Sequence, residues 1–211
     1  DEVRWNKLTE LNLTLIYPTI TTITDYVFLK IYCLSNLSLS GLSNIVSIGS
    51  YGLARCDSLK NIDFFGMTSL EAINNYFLYN NLALKLIDLS PLKNLKTIGT
   101  HFGYQNYNSV EKVSLRGLVN LTTINNNFLS YCQNVKTIDL TGCINLQSFG
   151  NSCFNYLHTL KEIIGMKDLV NLTSIGDNFM ACSYSLKYLD LSKFNTKNCK
   201  NIEYMFDKTE G

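Results

Sequence analysis

The stretch Leu118-Val-Asn-Leu-Thr-Thr-Ile-Asn-Asn-Asn-Phe-Leu-Ser-Tyr-Cys-Gln-Asn-Val-Lys-Thr-Ile-Asp-Leu-Thr-Gly-Cys143 is one copy of a unit that recurs along the whole chain. It has two halves, Leu121-x-x-Ile124-x-x-x-Phe128-x-x-x-Cys132 and Val135-x-x-Ile138-x-Leu140-x-x-Cys143. The second half recurs from Leu8, Leu34, Leu59, Leu84, Val110, Val135, Leu160 and Leu186, at gaps of 25 or 26 residues. The first half recurs from Ile20, Ile45, Leu70, Leu95, Leu121, Leu146 and Leu172, again at 25 or 26. Two columns that hold one such period are the mark of stacked repeats, not of a helical pattern.

Each second half reads as a short strand, with Ile138 and Leu140 turned inward and Asp139 outward. One unit has too little apolar surface to fold alone, so the coils must stack and their strands join into a parallel sheet. The expected fold is an α/β-type, strand-rich repeat solenoid. It is a right-handed coil with a parallel concave β-sheet of about eight strands and little helix, spanning residues 1–211 as one domain. At about 4.8 Å per strand the ladder would run roughly 35–40 Å. The pairs Ile73/Phe77, Ile98/Phe102, Ile124/Phe128 and Ile175/Phe179 predict a phenylalanine spine. Phe149/Phe154 is one residue longer, and Ile48 is followed by Gly52-Leu53, which predicts a thinner core near Leu53. The Tyr-, Cys- and Asn-rich returns read as short strands or irregular turns. Asn pairs at 74–75, 125–126 and 126–127, with Gly49, Gly99 and Gly176, suit turns of positive φ. Trp5 is expected across the open first coil, and residues 12–31 are less regular. Phe194 to Ile202 carries an insertion, and the last unit stops at Met205-Phe206, which favours continuation beyond Gly211 over a half-coil lid.

Composition excludes several classes. A net charge of +1 gives no bulk field toward nucleic acid or an anionic membrane. No run of 18 or more apolar residues exists to span a bilayer. The start, Asp1-Glu2-Val3-Arg4-Trp5, is not a signal peptide. Seven cysteines, at 33, 56, 132, 143, 153, 182 and 199, include no C-x-x-C, so a structural zinc site has no signature. They read as mostly free, buried thiols; a disulfide between neighbouring coils stays open, because adjacent coils lie about 4.8 Å apart. His101 and His158 occupy unlike repeat positions with no catalytic motif beside them and read as turn residues. No calcium-loop pattern occurs. No catalytic residue, metal or cofactor is expected, and the chain does not read as an enzyme.

The outward columns of the strand half carry the candidate site. The second position reads Thr9, Ser35, Lys60, Lys85, Glu111, Lys136, Lys161, Lys187; the fifth reads Asn12, Ser38, Asp63, Asp88, Ser114, Asp139, Ile164, Asp190. Lys112, Arg116 and Tyr188 depart from these columns, and such departures are where specificity would be written. The expected partner-binding set on the concave face is therefore Lys60, Asp63, Lys85, Asp88, Lys112, Arg116, Lys136, Asp139, Lys161, Lys187, Tyr188 and Asp190. The plainer reading is that these charges solvate the sheet and pair across strands, at about 0–1 kcal/mol per pair. Tyr79, Tyr104 and Tyr156 follow the spine phenylalanines by two residues, as a stacking ladder or as cover for the spine. Glycosylation sequons at Asn12, Asn36, Asn120 and Asn171 are no more than chance gives in so Asn-rich a chain.

The unit Leu121-x-x-Ile124-x-x-x-Phe128-x-x-x-Cys132-x-x-Val135-x-x-Ile138-x-Leu140 resembles the BspA-like (Treponema pallidum type) leucine-rich repeat. The tail, Leu189-Asp190-Leu191-Ser192-Lys193-Phe194-Asn195 with Met205-Phe206, resembles the 26-residue repeat of bacterial surface proteins in the same group. The resemblance implies a cell-surface or secreted, non-catalytic module that binds a protein or glycan and serves adhesion or host interaction. The alternative is an intracellular, cytoplasmic scaffold or adaptor, which free cysteines would suit.

Overall fold

The computed structural model describes residues 7–13, 19–192 and 204–207. Both halves of each unit form strands, and every strand pair is parallel. The strand halves give β1 (Glu10–Asn12), β3 (Asn36–Ser38), β5 (Asn61–Asp63), β7 (Leu86–Asp88), β9 (Lys112–Ser114), β11 (Thr137–Asp139) and β13 (Glu162–Ile164). The companion halves give two-residue strands: β2 (Thr22–Ile23), β4 (Ser47–Ile48), β6 (Ala72–Ile73), β8 (Thr97–Ile98), β10 (Thr123–Ile124), β12 (Ser148–Phe149) and β14 (Ser174–Ile175). The companion strands make one continuous seven-stranded sheet, whose register pairs Ile98, Ile124, Phe149 and Ile175 in one column.

The solenoid is as expected and nearly free of helix: among the described residues the only helical element is a 3-10 turn at Met166–Asp168. The strand face is divided, though. β1-β3-β5 form a three-stranded sheet and β7-β9-β11-β13 a four-stranded one, and the unit beginning at Leu186 has no strand among the described residues. Elsewhere Leu39 N–H reaches Asp63 O at 2.9 Å and Leu89 N–H reaches Ser114 O at 2.9 Å. The equivalent bond from Phe64 to Asp88 is not made, nor is any other backbone bond between β5 and β7. Phe64 stands where other coils carry Leu13, Leu39, Leu89, Leu115, Leu140 and Leu191, and one carries Gly165; its ring packs 6.3 Å from Phe77. The larger side chain coincides with the open seam.

The returns form a third ladder, which sequence patterning did not suggest. Asn127, Leu129 and Tyr131 take φ of 60°, 56° and 64°, so every second residue is left-handed. The same alternation runs from Tyr26, Phe28 and Lys30 to Asn178, Met180 and Cys182. Left-handed conformation costs about 1–2 kcal/mol for a non-glycine residue. Hydrogen bonds between coils hold it in place. Asn127 and Tyr131 donate forward to Asn151 O (2.8 Å) and Asn155 O (2.9 Å), and Leu129 donates back to Phe102 O (2.9 Å). This corrects the turn expectation. Gly49, Gly99 and Gly176 do not take positive φ, and of the Asn pairs only Asn127 does. The glycines serve close approach between coils: a Cβ on Gly99 would lie 2.6 Å from the carbonyl carbon of Asn74.

Between the three ladders lies one apolar core. Phe102 stacks on Phe77 at 5.8 Å and on Phe128 at 5.3 Å, and Phe128 meets Phe154 edge-on at 5.7 Å. Cys153 holds the spine position in its own coil, and Phe149 and Phe154 fill the gap from either side, 5.4 Å apart. The core is not thin near Leu53, which is 1% exposed. The ring of Phe77 lies over Gly52, so that a Cβ there would come within 2.9 Å of it. Trp5, Cys199 and the insertion from Phe194 to Ile202 lie outside the described residues.

Candidate binding face

The strands fix the candidate residues as the sequence periodicity requires, with alternate side chains outward. Ile138 is buried between the outward Thr137 and Asp139 of β11, and Val113 between Lys112 and Ser114 of β9. The two charged columns do not pair with each other as a block. The lysine row is organised by Glu111, whose carboxylate takes Lys136 Nζ at 2.7 Å and Lys85 Nζ at 3.3 Å. Hydrogen bonds from Lys136 and then Lys85 hold the Glu111 carboxyl below its usual range. Glu111 is the hub that the reading of the columns passed over; its one signal was an acid standing alone among lysines.

The aspartate row turns to the backbone. Asp63, Asp88, Asp139 and Asp190 each accept the N–H two residues on, from Phe65 (2.8 Å), Ser90 (3.0 Å), Thr141 (2.8 Å) and Ser192 (2.8 Å). At Asp63, Asp88 and Asp139 these Asx turns end the strands, which explains aspartate at this position without any ligand. Asp139 also meets Arg116, at 3.5 Å. Lys60, Lys112, Lys161 and Lys187 are exposed and form no ion pair with the described residues. Tyr188 is 76% exposed. The face thus brings together fixed carboxylates, a buttressed Lys85–Glu111–Lys136 triad and four uncommitted ammonium groups.

A second group on the same face lies in the third-position row, which was not singled out from sequence. Asn61 Nδ2 donates to Asn36 Oδ1 (2.7 Å), and Asn36 Nδ2 donates to Glu10 Oε1 (3.2 Å). Across from them Ser38 Oγ donates to Asp63 Oδ2 (3.4 Å). With Asn12 these residues line a groove of about 430 Å³ across β1, β3 and β5.

The tyrosines form a ladder on the return face. Tyr51 stacks on Tyr76 at 4.5 Å and Tyr76 on His101 at 4.4 Å; Tyr79 stacks on Tyr104 at 6.0 Å and Tyr131 on Tyr156 at 4.4 Å. These rings give their faces to one another, and Tyr79 Oη donates to Gln105 Oε1 at 2.9 Å, the arrangement of cover more than of a sugar platform. Burial lowers the His101 pKa.

Six cysteines, all except Cys199, are described and free. Their surroundings explain them. Cys132 Sγ donates to Gly103 O and Cys56 Sγ to Phe28 O, at 2.8 and 2.9 Å. In the same column Asn81 and Asn106 donate to Leu53 O and Leu78 O, and Ser183 to Phe154 O. Burial pushes the thiols of Cys56, Cys132 and Cys153 up to about 12 and that of Cys143 to about 11. Among the described residues no group of three or more His, Cys, Asp or Glu is placed to hold a metal, and no helix is long and apolar enough to cross a membrane.

Solved leucine-rich repeat proteins share this architecture. The Treponema pallidum leucine-rich repeat protein aligns at 18% identity with a TM-score of 0.50, over 85% of this chain and 78% of its own. One from Eubacterium ventriosum gives 18% and 0.55, over 95% and 63%, and one from Bacteroides ovatus 18% and 0.52, over 82% and 49%. The chain therefore spans about half to two thirds of the latter two. At such identity the likeness is one of fold. No curated protein matches the chain. The BspA type leucine-rich repeat region matches in six copies, over residues 5–117 and 71–209. With the repeat columns, the parallel coils and this match in agreement, the chain belongs to the BspA-type leucine-rich repeat family.

Proposed function

We propose that the protein is a non-catalytic binding module, surface-exposed or secreted, whose strand face forms the concave surface that holds a protein or glycan in adhesion or host interaction. The observation that carries this reading is the set of uncommitted ammonium groups, Lys112 in β9, Lys60 and Lys161 at the starts of β5 and β13, and Lys187 in the last described coil, beside carboxylates fixed by Asx turns. A preformed sheet loses little freedom on binding, so modest contacts on several coils add up. Lys85, Asp88, Arg116, Lys136, Asp139, Tyr188 and Asp190 complete the face, which takes neither nucleic acid nor a cofactor. The test is lysine footprinting: the protein is acetylated free and while bound to whole cells or matrix proteins, and modified sites are mapped by mass spectrometry. Protection of the strand-face lysines, with Lys96 beside the companion sheet left reactive, is the expected result. Protection of Lys96 alone would reject the face.

A second reading, an intracellular scaffold, has the free thiols in its favour. Titration of the natural protein, denatured without reductant, separates the two: seven reactive thiols in the 211-residue chain point to a reducing compartment.

A further inference from the structure

We propose that the groove across β1, β3 and β5 is a subsite for a neutral oligosaccharide, its chain running perpendicular to the strands. This rests on the reading of the strand face as the binding face, and names the ligand class for its first three coils. The groove's chemistry selects among ligands. Its polar groups are carboxamide, carboxylate and hydroxyl, from Glu10, Asn12, Asn36, Ser38, Asn61 and Asp63. No lysine, arginine or aromatic side chain lines it, and the apolar residues of its floor, Leu11, Leu37 and Ile62, belong to the inward row. An anionic glycan would meet two carboxylates without a cation to receive it. A protein partner would find no pocket for the aromatic anchors that dominate such interfaces. A polyol suits each of the polar lining residues, because each of its hydroxyls both donates and accepts.

The groups are also held in position. The amide of Asn61 is oriented by Asn36, that of Asn36 by Glu10, and the carboxylate of Asp63 by both Ser38 and the Phe65 N–H. Each coil repeats the polar pair at the strand spacing of about 4.8 Å, close to the rise of one ring in an extended β-1,4-linked chain. Carboxylates already bonded to neutral donors make good acceptors for sugar hydroxyls and place no demand for a counter-cation.

The experiment uses the full chain from a host that does not N-glycosylate, since Asn12 and Asn36 are themselves in sequons. Calorimetry and saturation-transfer NMR are run with linear oligomers of glucose, N-acetylglucosamine, mannose and galactose, and with a lysine decapeptide as the cationic competitor. At least one neutral oligomer is expected to bind at about 1 mM or below, with little change at raised salt. Asn36→Ala and Asn61→Ala should each weaken it about tenfold, and Asn36→Gln less. Thr97→Glu, on the companion sheet, should leave it unchanged. Should Asn36→Ala fail to fold by circular dichroism, Ser38→Ala is read in its place. Absence of binding by every neutral oligomer overturns the proposal, as does binding that survives the groove substitutions, or preference for the decapeptide that salt abolishes. Strand-face lysines protected by a cell-surface partner while no oligomer binds would overturn the subsite alone and leave the face standing.

Discussion

The Sγ of Cys132 donates a hydrogen bond to the carbonyl of Gly103, one coil away, at 2.8 Å. This thiol is a polar strut between coils, and its burial explains why its pKa is pushed up to about 12. An unfolded thiol titrates near 8.5. Between that pH and about 12 the native protein therefore holds protons that the unfolded chain has lost. Stability should be unaffected below pH 8 and should fall above pH 9, by about 1.4 kcal/mol per pH unit for each such thiol. Urea melts between pH 7 and pH 10.5 measure this. A Cys132→Ser variant with an unchanged alkaline slope would show that the thiol is not the titrating group.

Asn106 occupies the repeat position of Cys132, with its amide bonded to Leu78 O and Gly103 O, both at 3.0 Å. It also accepts the Asn81 N–H. Asn106→Ala strands these buried partners and should cost about 2–4 kcal/mol. Asn106→Cys restores a donor of the kind already used one coil on and should cost distinctly less. Chemical denaturation of the two variants gives the difference; equal losses would show that volume alone matters there.

Phe128 lies in the middle of the spine, 5.3 Å from Phe102 and 5.7 Å from Phe154. Phe128→Ala should cost about 3–5 kcal/mol through the cavity it leaves. A loss below about 1 kcal/mol in the same denaturation assay would mean that the spine contributes little.

At the β5–β7 seam, the N–H groups of Phe64, Lys85 and Leu86 lack the partners that Leu39, Glu111 and Lys112 have in their coils. They should exchange with deuterium much faster than those of Glu111 and Lys112, which donate to Lys85 O at 2.9 and 3.2 Å. Phe64→Leu should slow that exchange if the larger ring keeps the seam open. Uniform protection along the face would mean that the sheet is continuous in solution.

The fold was legible because two apolar columns kept one period, and each fixed a strand. Phe77, Phe102 and Phe128 were readable as a spine for the same reason. The left-handed returns were not, since their positive φ falls on Tyr, Leu, Arg and Phe, such as Tyr51, Leu53 and Arg55, where bonds between coils override local preference. Of the candidate face, Lys136 lies one residue before β11, and the outward placement of Asp139, on the far side of the strand from Ile138, followed from alternation. The hub role of Glu111 and the Asn61–Asn36–Glu10 chain did not, because both depend on which side chains meet across coils.

Binding after paired substitution tests the proposed face most directly. Lys136→Glu with Lys161→Glu reverses two charges on the strand face, while Thr97→Glu places a charge on the companion sheet, in β8. Retention of each protein on cells or matrix is compared with wild type by surface plasmon resonance, with folding confirmed by circular dichroism. The double lysine variant should lose about tenfold or more in affinity, and the Thr97 variant should bind as wild type. Equal losses at both sites, or a loss at Thr97 alone, would contradict the assignment of the strand face as the binding surface.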